Sequence, residues 1–105
     1  MPLTQIDQYE VMYSANTFVP RIWLKNGGNY IGQLIFEPDG SALPQDSMVN
    51  SQVNLFYHLE DFDNCIDLLR NEEAMYLLFS GSGPGFENGI KTTPEEVGDA
   101  FRKAA

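Results

Sequence analysis

RIWLKNGGNYIGQLIFE, residues 21–37, carries the strongest local signal in the chain. Ile22 and Leu24 alternate with Arg21, Trp23 and Lys25, a period of two that belongs to a strand with unlike faces. The strand is expected over Val19 to Lys25, entered through Pro20. Asn26-Gly27-Gly28-Asn29 then supplies residues that tolerate the positive φ angles of a tight hairpin. The returning strand, Asn29 to Glu37, places Tyr30, Gly32, Leu34 and Phe36 on one face and Ile31, Gln33 and Ile35 on the other. Both of those faces call for cover.

Upstream, Tyr9, Val11 and Tyr13 alternate with Glu10 and Met12, which predicts a single strand beginning near Ile6. Downstream, Glu37-Pro38-Asp39-Gly40 reads as a turn with Pro38 at its second position, and SALPQDSMVN, residues 41–50, as a surface loop. Gln52 to Leu59 alternates again and predicts a strand. The period then changes. Phe62, Cys65, Ile66 and Leu69 follow helical spacing, with acids in the first turn, Arg70 in the last and Asn71 suited to a left-handed cap. Ala74 to Ser80 is a short continuous apolar run, expected to be a central strand. After GSGPG, residues 81–85, Phe86 to Thr92 predicts a strand returning along it, interrupted at Gly89. Thr93-Pro94-Glu95-Glu96 has the form of a helix start, so a second short helix is expected at the C-terminal end.

Strands, then a helix, then strands, then a helix is an α+β order without strict βαβ alternation. The expected architecture is a mostly antiparallel curved sheet or partly open barrel of about six strands with two short helices. The 105 residues fit one small domain over 1–105.

Composition bounds the function. Fifteen acids against six bases give a net charge of −9, which opposes direct contact with nucleic acid or an anionic membrane surface. Residues 51–105 hold ten of the acids. No apolar stretch is long enough to span a bilayer and no secretory leader is evident in MPLTQIDQYE, so a cytoplasmic chain is expected. The lone Cys65 excludes an internal disulfide.

No catalytic constellation is complete. His58 stands just ahead of Glu60, Asp61 and Asp63, which could orient its imidazole, and a small enzyme would use His58 near the glycine-rich 81–86 loop, with Ser82, Gly83 and Phe86 as candidate ligand contacts. That loop lacks the Gly-Lys-Ser/Thr ending of a Walker A motif and the helix-opening GxGxxG of a dinucleotide fingerprint. The acids at 60–73 lack the ligand order of an EF-hand and read as a solvated helix face, so neither metal nor cofactor is expected. Arg21, Trp23 and Lys25 share a strand face and have the composition of an interface centre. The two-faced apolar strands outnumber the helices available to cover them, which points to a homodimer. The leading expectation is a non-catalytic binding or interaction module, with a protein partner as a further possibility. The alternatives are the His58 enzyme and an acidic protein that occupies a basic partner.

Overall fold

A computed structural model describes residues 3–94 and 97. Its strands are β1 (Leu3–Ile6), β2 (Gln8–Met12), β3 (Arg21–Asn26), β4 (Asn29–Glu37), β5 (Ser47–Val49), β6 (Gln52–His58), β7 (Met75–Phe79) and β8 (Asn88–Thr92). They form a three-stranded sheet in the order β1-β7-β8 and a five-stranded sheet in the order β2-β3-β4-β6-β5. The α+β class holds. The single curved sheet or partly open barrel of about six strands is corrected: among the described residues eight strands divide between two sheets, and they close no barrel.

The extra strands have local causes. The alternating stretch from Ile6 to Tyr13 is two strands, because the chain crosses from one sheet to the other at Asp7. That crossing is latched to the central hairpin. The amide of Asp7 donates to the Lys25 carbonyl at 3.0 Å, its carboxylate accepts from Gly27 N at 2.8 Å, and Asn26 Nδ2 donates to the Gln5 carbonyl at 2.7 Å. Gly27 and Gly28 both have positive φ, 59° and 83°, as a primed hairpin turn requires.

The 41–50 segment is not simply a surface loop. Its end forms β5, which turns through Asn50 and Ser51, both at positive φ, into β6. Because β5 takes the outer position, β6 is inserted beside β4 and runs parallel to it, the one parallel pairing among the described strands. Residues 38–51 provide the long connection that a parallel pair needs. The turn before it begins one residue later than expected: Ser41 N donates to the Pro38 carbonyl at 3.1 Å, making Pro38 its first residue.

The helix α1 spans Phe62–Asn71 and follows a single tight turn at Leu59–Asp61, where Asp39 Oδ1 accepts the Glu60 amide at 2.7 Å. Asn71 is not a left-handed cap. It stays helical, its side-chain amide donates to the Asp67 carbonyl and carboxylate, and the chain departs extended at Glu72, whose N–H still reaches Leu68. The second helix expected after Thr93 lies outside the described residues. β7 is central to its sheet, as its apolar run implies, and β8 returns along it from Asn88; Gly89 pairs with Leu78 without interruption.

One core joins these layers. Ile22, Leu24, Leu34, Phe36, Val53 and Leu55 enter it from the large sheet, Ile6, Met75 and Leu77 from the small sheet, and Cys65 and Leu69 from α1. Gly32 is packed tightly between the neighbouring strand β6 of its own sheet and Leu77 of the small sheet. A Cβ there would lie 2.6 Å from the Val53 carbonyl oxygen and 3.2 Å from Leu77 Cδ2. Opposite the core, the outer face of the large sheet receives neither α1 nor the small sheet.

Candidate functional site

Strand alternation aims Ile22 and Leu24, both fully buried, at the core, and therefore aims Arg21, Trp23 and Lys25 outward. Their cross-strand partners are Met12, Glu10 and Gln8 on β2, and Ile35 and Gln33 on β4. Tyr30 joins this face against simple alternation. The register steps from Leu24 opposite Gly32 to Lys25 opposite Tyr30, one residue on β3 against two on β4, so Ile31 is a bulge. The bulge turns Tyr30 away from the Gly32, Leu34 and Phe36 row and places its ring beside Trp23.

The result is a stacked row of aromatics and cations. The Trp23 and Tyr30 rings meet edge to face at 6.3 Å, and Lys25 Nζ lies 4.9 Å from the Tyr30 ring centre. Glu10 holds that end: one carboxylate oxygen accepts the Tyr30 hydroxyl at 2.8 Å and the other lies 3.9 Å from Lys25 Nζ. Donation to that carboxylate, together with some burial and the nearby negative charge, raises the pKa of the Tyr30 phenol. At the other end the Arg21 guanidinium carbon is 5.5 Å from the Trp23 ring centre and 5.9 Å from that of Phe18. Its Nε is buried without a hydrogen-bond partner among the described residues.

Beside this row lies an open depression of about 280 Å³, lined by Trp23, Tyr30, Gly32, Gln33 and Gln52. From it a chain of polar groups crosses the sheet: Gln33 Nε2 donates to Asn54 Oδ1 at 2.9 Å, and Asn54 Nδ2 donates to Ser47 Oγ at 3.3 Å. Half-buried Ile35 and Phe56 complete the face. The face combines aromatic rings, cations over those rings and side-chain amide groups.

The other expected site residues are arranged differently. His58 ends β6, and its Nε2 lies 2.7 Å from the Ser41 carbonyl oxygen, which can only accept, so Nε2 carries the proton. The Ser41 carbonyl holds this nitrogen, and no hydrogen bond joins the imidazole to Glu60, Asp61 or Asp63 among the described residues. No hydrogen bond joins His58 to Ser82, Gly83 or Phe86 among the described residues.

The 81–86 loop is itself occupied by structure. Asn88 Oδ1 accepts the Ser80 amide at 2.7 Å and that of Gly81 at 3.4 Å, while its Nδ2 donates to the Gly81 carbonyl and to Asp46 Oδ2. Asp46 also accepts the Phe56 amide at 2.9 Å, so this pair ties the loop to the large sheet. The Phe86 ring fills the space where a Gly81 side chain would stand. Nothing in the local sequence marked Asp46 or Asn88, because their partnership spans residues that only the fold brings together.

Cys65 is buried, and burial followed by the charge of Asp61 pushes its thiol from 9.0 up to about 11. The Tyr57 phenol, stacked on Phe36 at 5.7 Å, is also raised, chiefly by burial. Both stay neutral near pH 7. Among the described residues no group of three or more His, Cys, Asp or Glu side chains is placed to hold a metal ion, and no helix is long and apolar enough to cross a membrane. No protein family matches the chain, and neither a curated protein nor a solved structure matches it.

Proposed function

We propose that this chain is a small, non-catalytic, self-associating interaction module that presents the outer face of its five-stranded sheet, centred on Trp23, to a protein partner. One observation carries this: the aromatic and cationic row of Arg21, Trp23, Lys25 and Tyr30 lies on a sheet face that neither α1 nor the small sheet covers. Arg21 and Lys25 are also the only bases among the first fifty residues of a strongly acidic chain. Trp and Arg at the middle of a face are the residues that dominate protein interfaces.

The chemistry elsewhere favours binding over catalysis. The His58 Nε2 proton is held by a backbone carbonyl, and the Cys65 thiol is buried and difficult to ionise.

Trp23 is the chain's single tryptophan, so its emission reports directly on this face. Wild-type protein and an Arg21→Ser/Trp23→Ser variant, compared by circular dichroism for intact folding, are used to capture partners from an extract of the source cells. A retained protein that the variant loses, and that blue-shifts wild-type tryptophan emission when purified and added back, supports the proposal. Equal retention by both proteins refutes it.

A further inference from the structure

β2 ends the five-stranded sheet. One side of its backbone pairs with β3, and the other has no strand beside it among the described residues. Exposed edges are usually blunted by lysine, proline or a bulge. Residues 8–14, QYEVMYS, contain neither lysine nor proline, and the β2–β3 register runs without a bulge from Gln8 to Met12. The only charge in the stretch, Glu10, is already engaged by Lys25 and the Tyr30 hydroxyl. The side chains are open and largely apolar: Val11 is 44% exposed, Met12 39% and Tyr13 64%.

The pattern is also symmetric. Tyr9 and Val11 within β2, and Tyr13 just beyond its end with its ring edge-on to Phe62 at 5.6 Å, read the same in either direction about Val11. A neighbouring antiparallel strand related by a two-fold axis through Val11 sets Val11 opposite its own copy and Glu10 opposite Met12, and extending β2 by one residue adds Tyr9 opposite Tyr13. Aromatic rows then meet aromatic rows, which is favourable across strands. An axis through Glu10 would instead set two carboxylates face to face. The other edges offer less: β5 has three residues, β1 has four, and β8 includes Gly89 and the charged Lys91.

We propose that β2 is the docking strand for a second copy of this chain, added antiparallel about Val11 so that the two large sheets become one. This rests on the proposal that the chain self-associates, and assigns the contact to an edge and not to the Trp23 face. The two outer faces then form one continuous surface carrying two Trp23 rows, both still open to a partner.

Sedimentation velocity of the full chain over a range of concentrations gives the dimer constant, and Val11→Lys sets two ammonium groups against each other at the axis. The expected result is a dimer whose Kd rises about tenfold or more in the variant, since like charges directly opposite oppose pairing. Circular dichroism shows whether the variant folds. Independently, Val11→Cys should cross-link to a covalent dimer under mild oxidation, whereas wild-type Cys65, being buried, and Leu68→Cys on the outer side of α1 should not. A strict monomer overturns both the edge and the self-association. A dimer indifferent to Val11→Lys, with no Val11→Cys cross-link, overturns the edge alone, and its weakening by Trp23→Ala would keep self-association while moving it to the face.

Discussion

Replacing Gly32 by alanine adds a single methyl group between the backbone of β6 and the Leu77 side chain of the small sheet. Gly32 lies in β4 with ordinary strand geometry, so backbone conformation alone would favour alanine, by about 0.5–1 kcal/mol through the unfolded chain. The fold reverses that preference. The new Cβ would stand 2.6 Å from the Val53 carbonyl oxygen and 3.2 Å from both Val53 Cβ and Leu77 Cδ2. The oxygen belongs to the neighbouring strand and cannot swing aside as a flexible side chain could, so β4 and β6 must separate locally or Leu77 must leave its place in the core. Overpacking of this kind costs about 1–3 kcal/mol, and occasionally more. The net destabilisation is about 1–2 kcal/mol, a fall in Tm on the order of 5–15 °C for a chain of this size. Thermal and urea unfolding followed by circular dichroism measure it. Gly32 also borders the depression beside Trp23, so native tryptophan emission should shift in the same variant. A Gly32→Ala protein as stable as wild type would show that the space between Gly32, the Val53 carbonyl and Leu77 is not closed.

Two further outcomes test the remaining structure. Asn88→Ala removes the acceptor of the Ser80 amide and the donor to Asp46, so a loss of about 2–3 kcal/mol in urea unfolding is expected, with faster proteolysis in the 81–86 loop; unchanged stability would mean that the loop is anchored elsewhere. Cys65 should resist thiol reagents at pH 8 in the native state and react on unfolding. Because folding raises its pKa, stability is fully present below pH 9.0, the thiol's ordinary value, and falls as pH rises towards about 11. Cys65→Ala should flatten that part of the stability profile, and an equally steep alkaline loss in the variant would assign it to other groups such as Tyr57.

Much of the local structure was legible because it depends on neighbours in sequence. Two adjacent glycines fix the turn after Asn26, the spacing of Phe62, Cys65, Ile66 and Leu69 fixes the helix and its buried side, and the unbroken apolar run at 74–80 marks the middle strand of its sheet. The outward direction of Arg21, Trp23 and Lys25 follows from strand alternation alone.

What alternation could not reveal is where it breaks. The stretch from Ile6 to Tyr13 reads as one strand, yet Asp7 is held by Lys25 and Gly27, and that distant latch divides it between two sheets. Tyr30 should face the core by its parity, but the Ile31 bulge turns it out to Trp23, and a bulge exists only relative to a partner strand. The acids after His58 looked able to orient it, while the carbonyl that holds its Nε2 comes from Ser41, on a separate turn. Sequence by itself determined the central hairpin, the helix and the apolar middle strand, and the sidedness of β3 and α1, since hydrophobic period and turn chemistry act over a few residues. Tertiary structure decided which strands became neighbours, and with them the two sheets, the parallel β4–β6 pair and the composition of the Trp23 face, because hydrogen-bond partners and registers are chosen between segments that have no sequence relation to one another.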